Sequence, residues 1–250
     1  MIYPDMRKLD VTDLAAEGGQ WQGKVALVTG ATGAFGSACA RALAARGATV
    51  VLAGRRVKEL ERIYDQILAA GGAEPAIYPI NFEGASGVDY VALAERVNGE
   101  LGGIDALVWA VGHWHGMEST HSISAEQWLK TMHINTTAPW LLLRELLPKL
   151  RARHGSALFP LAPAALTGSA FAGAYGAAQA ALRNWVASCA QENERLMPRI
   201  FGVELPPLRS RLRLAAFPAE DKANVVVPDE LASACIGLLG SQQAPGIVGF

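Results

Sequence analysis

The stretch VALVTGATGAFGSACARAL, residues 25–43, is the part of this chain that permits the fewest architectures. An apolar strand-like run leads without a break into Gly30, Gly33 and Gly36, and these lead into an amphipathic helical pattern. Glycine there allows a tight turn and close backbone approach, and the helix that follows presents free N–H groups to a pyrophosphate. Gly30, Gly33 and Gly36 are therefore expected to bind a nucleotide. The plainer alternative is a tight strand-to-helix turn with no ligand.

The rest of the chain repeats that alternation. Short apolar runs at 24–29, 49–53, 76–80, 105–111, 156–161, 199–205 and 246–250 are separated by longer helical patterns, one of them a long stretch from Ser124 to Arg153. Near-continuous apolar strands alternating with helices imply a parallel sheet covered on both faces. The expectation is an α/β fold, a Rossmann-type doubly wound sheet of seven parallel strands, forming a single domain over 23–250. Residues 1–22 are read as an N-terminal extension with one short helix around Val11 to Glu17. The proline-rich region Pro206–Pro218 is read as a mobile loop over the C-terminal edge of the sheet. The run GIVGF, 246–250, is the expected last strand, with no tail left to close a neighbouring subunit's pocket.

Composition narrows the ligand class. Lysine plus arginine (22) nearly balance aspartate plus glutamate (23), so no global field favours nucleic acid or an anionic membrane. A small molecule or nucleotide is the expected partner. Cys39, Cys189 and Cys235 have neither paired nor metal-ligand spacing, which suits small core residues in a reducing, cytoplasmic setting and no metal site. No apolar run has the length of a membrane span.

After the second strand comes AGRRVKEL. An NAD site would be expected to place a carboxylate near here for the ribose 2′-hydroxyl, whereas Arg55 and Arg56 suit a 2′-phosphate. Two cations before a helix N-terminus are unfavourable unless an anion neutralises them. NADP(H) is therefore the expected cofactor, with Arg55 as the contact; NAD(H), or no nucleotide and two solvated arginines, are the alternatives.

With these motifs in order, residues 23–250 resemble the short-chain dehydrogenase/reductase family, and around GAYGAAQ (173–179) and AAFPAED (215–221) the YciK-type bacterial oxidoreductases within it. The family's TGxxxGxG motif maps onto Thr29, Gly30, Ala34 and Gly36, with Gly33 beside the substituted glycine. Its NNAG motif becomes WAVG, leaving only Gly112, and its adenine-side aspartate becomes Asn81. The resemblance implies Tyr175 as the catalytic tyrosine and Asn135 as the residue anchoring a proton-relay water. It also implies that the catalytic serine and lysine are replaced by Ala162 and Gln179, the latter still able to hydrogen-bond a ribose hydroxyl. Ser210 is the nearest counterpart of a threonine that meets the nicotinamide amide. The family's dimer-forming helices correspond to the fourth-helix region and the helix after Tyr175, so a homodimer or homotetramer is expected.

The losses have chemical consequences. An unassisted phenol has a pKa of about 10, so only on the order of 0.1% is ionised at neutral pH. Such a group is a poor base for alcohol oxidation but still an acid for carbonyl reduction. Deleting one donor to a developing alkoxide costs roughly 10² to 10³ in rate. His113 and His115 lie at the right edge of the sheet to substitute, and His133 less directly; a plain surface pair is the alternative. Arg209, Arg211 and Arg213 either attract an anion or form a solvated face of an extended segment. Two functions stay open: an NADP(H)-linked reductase of a ketone or aldehyde, or a non-catalytic protein acting as nucleotide sensor, partner subunit or scaffold.

Overall fold

A computed structural model describes residues 6–17, 19, 21–193 and 198–250. The sheet comprises β1 (Arg7–Lys8), β2 (Val25–Thr29), β3 (Thr49–Gly54), β4 (Ala76–Pro79), β5 (Ala106–Trp109), β6 (Ser156–Leu161), β7 (Arg199–Glu204) and β8 (Gly246–Gly249). All pairings are parallel, in the order β1-β8-β7-β6-β5-β2-β3-β4.

The continuous apolar character of the strands follows from their pleat. Ala26 and Val28 of β2, with Ala106 and Val108 of β5, enter one core; Val25, Leu27, Leu107 and Trp109 enter the other. The first core is closed by α1 (Val11–Glu17), α2 (Ala34–Ala44), α3 (Val57–Ala69) and α10 (Pro228–Gly240). The second is closed by α4 (Gly87–Leu101), α6 (Ala138–Ala152) and α8 (Gly173–Glu192). The remaining helices are α5 (Ala125–Met132), α7 (Ala164–Thr167) and α9 (Arg211–Ala216).

The sheet has eight strands where seven are expected. The seven apolar runs all form strands, and the eighth, β1, lies in the N-terminal extension, where Arg7 pairs with Val248 and Lys8 with Gly249. Two charged residues carry no apolar alternation, so this strand exists only through its pairing with β8. The expected helix over 11–17 forms and lies so close to α10 that a Cβ on Gly237 would stand 1.8 Å from the Leu14 carbonyl.

Two further expectations change in detail. The long stretch from Ser124 is not one helix: α5, begun by a Ser124–Gln127 capping box, passes through a π-helical turn at His133–Thr137 into α6. The segment with alternate arginines is helical rather than extended, because Ser210 caps α9 by accepting from the N–H of Arg213 at 3.1 Å. No helix among the described residues is long and apolar enough to cross a membrane, and none of their His, Cys, Asp and Glu side chains form a metal-holding group.

Candidate active site

The chain leaves β2 towards β3 and β5 towards β6, on opposite sides, so the loops diverge at the C-terminal ends of these two central strands. In open α/β sheets that divergence is where ligands bind. Here it holds a cleft of about 730 Å³.

Its floor is the glycine turn. Gly30 has φ 62°, and a Cβ on it would lie 2.5 Å from the carbonyl oxygen of Ala110, the residue just after β5. A Cβ on Gly36 would lie 2.4 Å from the Gly30 carbonyl oxygen, which is why α2 can begin directly on the turn. Gly33 caps α2 without any side chain, leaving its first-turn N–H groups open to an anion. Gly30, Gly33 and Ala34 line the cleft, with Thr32 and Ser37. Thr29 and Gly36 lie behind it: Thr29 is fully buried and its hydroxyl and carbonyl oxygens both accept from the N–H of Ala110.

At the end formed by β3 and β4, Arg55 and Arg56 both line the cleft, and neither is merely solvated. Arg55 pairs with Glu83 at 3.3 Å. Arg56 pairs with Glu59 at 3.0 Å and donates to the Thr32 hydroxyl at 2.9 Å. The chain thus supplies carboxylates of its own to both cations, so the need for an external anion is weaker than the sequence suggests. Asn81 lines the same end, its Oδ1 accepting from the Glu83 N–H, and its amide N–H groups have no acceptor among the described residues.

At the opposite end Tyr175 heads α8, with its ring stacked on Trp114 at 4.2 Å and 7°. Trp114, Tyr175 and Ala216 form a small core with Leu212 and Phe217, so α9 covers this end of the cleft. The phenol oxygen has no hydrogen-bond partner among the described residues, and burial pushes Tyr175 up to about 12 against a smaller opposing pull from Arg213. Arg213 is itself held by Glu220 through two hydrogen bonds of 2.7 Å.

Asn135 is placed by the π-helical turn. Its Nδ2 donates to the carbonyls of His113 (2.7 Å) and Thr131 (2.9 Å), and its Oδ1 accepts from the His113 N–H (3.0 Å). It therefore clamps the segment after β5, including Gly112, against which Leu212 packs. His113 lines the cleft, and burial holds its imidazole below the ordinary value, so it is neutral at pH 7. His115 does not line the cleft; it is exposed and lies 3.9 Å from Glu118. His133 sits in the π turn away from the cleft lining. Ser210 lines the cleft, with its oxygen already accepting the α9 cap bond.

Gln179 and Ala162 meet each other. The Ala162 N–H donates to Gln179 Oε1 at 3.0 Å, and Arg183, one turn on, donates to the Ala162 carbonyl at 3.0 Å and pairs with Glu204. The carboxamide thereby anchors the end of β6.

Residues 24–219 match the family described as short chain dehydrogenase. The chain belongs to that family. Among its relatives, the uncharacterized oxidoreductase YciK of Escherichia coli (strain K12) is 26% identical over 87% of this chain and 86% of its own. Nodulation protein G of Rhizobium sp. (strain N33) is 34% identical over 68% and 67%. A short chain dehydrogenase structure from Pseudomonas syringae superposes with a TM-score of 0.87 at 30% identity, covering 99% of this chain and 98% of that one. Another, from Shigella flexneri 2a str. 301 and complexed with NADP, gives a TM-score of 0.87 at 25% identity over 93% and 98%.

For a short-chain dehydrogenase of this geometry, Gln179→Lys alone is expected to be costly. It strips the Ala162 N–H of its acceptor and sets a buried ammonium one turn from Arg183, lowering unfolding free energy by about 1–3 kcal/mol. Chemical denaturation of the variant checks this. Trp114 and Glu83 escape sequence reasoning because each becomes part of the site only through contacts distant in the chain; the segment over the cleft is anticipated, but not that it forms the helix α9. Thr32, inside the glycine turn, was within reach of it.

Proposed function

We propose that this chain is an NADP(H)-linked reductase of a ketone or aldehyde, with Tyr175 as proton donor. The observation that carries the reading is the unpartnered phenol of Tyr175 lining the same cleft as the glycine turn. The residues fit a dinucleotide: Gly30 and Gly36 allow the close backbone packing that starts α2 directly on the turn, the first-turn N–H groups of α2 are uncapped, and Arg55 and Arg56 line the same end of the cleft. The NADP complex of the Shigella relative supports the choice of phosphorylated cofactor. When bound, the nicotinamide supplies the hydride.

The protein's own contributions are positional and protonic. Gly30, Gly33 and the α2 N-terminus would hold the pyrophosphate, Arg55 the 2′-phosphate, Asn81 the adenine and Gln179, through its free amide donors, a ribose hydroxyl. Gly112, with no side chain to press on Leu212, would leave space for the nicotinamide. Asn135 keeps the His113 backbone in place. Tyr175 gives its proton to the carbonyl oxygen as hydride arrives at carbon, and α9 excludes water. With its pKa near 12, the phenol stays protonated across the working range, so reduction should show no loss attributable to Tyr175 up to about pH 10, and oxidation should be very slow throughout. A kcat–pH profile in both directions checks this. Because the folded value exceeds that of a free phenol, the shift favours folding fully below about pH 10 and its contribution fades as pH rises through about 12.

One observation favours the non-catalytic alternative, a nucleotide sensor, partner subunit or scaffold. The two substituted positions, Ala162 and Gln179, are bonded to each other, as a stable structural arrangement would have them. The reading also includes a homodimer or homotetramer through α5, α6 and α8, where Trp128, Leu129 and Trp140 are exposed, and a reducing cytoplasm suited to three buried free cysteines.

Calorimetric titration of the wild type and Arg55→Ala with NADPH, NADP, NADH and NAD tests the proposal. NADPH binding weakened by the substitution is the expected result, followed by slow carbonyl reduction that Ala162→Ser with Gln179→Lys accelerates. Binding without turnover, in the wild type and the double variant alike, selects the sensor; no binding of any nucleotide sinks the enzyme and the sensor, leaving a partner subunit or scaffold.

A further inference from the structure

The nucleotide end of the cleft carries a charge arrangement that the cofactor reading alone does not use. Glu83 Oε2 lies 3.3 Å from Arg55 Nη1, and its Oε1 lies 2.5 Å from Lys130 Nζ on α5. One carboxylate thus bridges two cations from different elements, and neither Arg55 nor Lys130 has another acidic partner among the described residues.

Glu83 is delivered by a turn that is already fixed. Asn81 Oδ1 accepts from the Glu83 N–H at 3.3 Å, and the Asn81 carbonyl accepts from the Gly84 N–H at 3.1 Å. Between them Phe82 is buried edge-on against Trp109, with ring centroids 5.2 Å apart at 74°. Trp109 is the residue that replaces the first asparagine of the family's NNAG motif, so this departure helps to brace the turn. A braced turn loses little entropy on pairing. The ammonium of Lys130, hydrogen-bonded to Glu83, holds the carboxyl below its ordinary range, so it is charged at neutral pH.

The geometry points to Glu83 as a specificity-determining residue: it is an internal counter-ion on Arg55 that a 2′-phosphorylated nucleotide must displace and a nucleotide with a free 2′-hydroxyl need not. This rests on the nucleotide-binding reading above. Arg55 is the arm that can change partner, being 63% exposed and, among the described residues, held only by Glu83, whereas Arg56 is fixed by Thr32 and Glu59. When Arg55 turns to a phosphate, Lys130 still pairs with Glu83, so no carboxylate is stranded. The phosphate gains a cation, less the pairing that cation already had. Glu83 therefore narrows the preference for phosphorylated cofactor that two arginines would otherwise confer.

The test uses adenosine 2′,5′-bisphosphate and AMP, which probe this end without engaging the substituted catalytic end. Glu83→Gln keeps the backbone turn and removes the charge; a matching melting temperature verifies the fold. Exposed ion pairs of this kind correspond to factors of about two to five in an equilibrium constant. The variant is expected to bind the bisphosphate tighter by that factor and AMP as before, with the gain shrinking as salt rises and vanishing in the Arg55→Ala background. A bisphosphate-to-AMP ratio equal to that of the wild type overturns the proposal while leaving nucleotide binding intact. So does weaker AMP binding, which would make Glu83 a ribose ligand. Failure of wild type and variant to bind either ligand brings down the nucleotide-binding reading, and this proposal with it.

Discussion

Alanine at position 36 is expected to lower the melting temperature by several degrees and to abolish nucleotide binding. Its methyl group would stand 2.4 Å from the Gly30 carbonyl oxygen and 2.9 Å from the Gly30 carbonyl carbon, both backbone atoms with nowhere to go. Relief requires α2 to move away from the turn, and overpacking of this kind costs roughly 1–3 kcal/mol. For a domain of this size that amounts to a fall of about 2–4 °C per kcal/mol. Moving α2 also withdraws the N–H groups that face the cleft, so binding fails in the fraction that remains folded. Gly99→Ala is the control: that glycine lies within α4 with nothing within 4 Å of a built Cβ, and alanine there should stabilise by about 0.5–1 kcal/mol. Differential scanning calorimetry and NADPH titration read both variants.

Phenylalanine at position 175 should produce the largest functional change. Removing the proton donor should slow carbonyl reduction by about 10²–10⁴-fold while leaving the NADPH dissociation constant unchanged. The variant should be about as stable as the wild type, because the hydroxyl has no hydrogen-bond partner among the described residues to lose. The stack on Trp114 survives, since Phe keeps the ring. An unaltered reduction rate would show that Tyr175 is a wall of the pocket rather than its acid.

The seven apolar strands, their order in the chain and the helix over 11–17 are legible in the sequence because apolar runs and period-3.6 patterns act locally. β1 was not, because Arg7 and Lys8 are a strand only by virtue of β8. The cleft residues carried by family motifs, Tyr175, Gln179, Asn135 and Asn81, do meet at one edge of the sheet. What each does with its hydrogen bonds was out of reach: Asn135 binds the His113 backbone, and Gln179 binds the Ala162 N–H. The Arg55–Arg56 argument was altered most, since the anions that neutralise them include Glu83, on a turn after a different strand.

The sequence by itself determined the doubly wound α/β sheet, the glycine turn and the presence of alanine at 162 and glutamine at 179, because these rest on side-chain identity and on periodicities that neighbouring residues enforce. Only the tertiary structure decided how the site is electrostatically set: Tyr175 carried to about 12 under α9, His113 held neutral and Arg55 occupied by Glu83. Desolvation and charge pairing depend on which groups are brought within a few ångströms of one another, and residues 28 positions apart, such as Arg55 and Glu83, acquire that distance only when the sheet has formed.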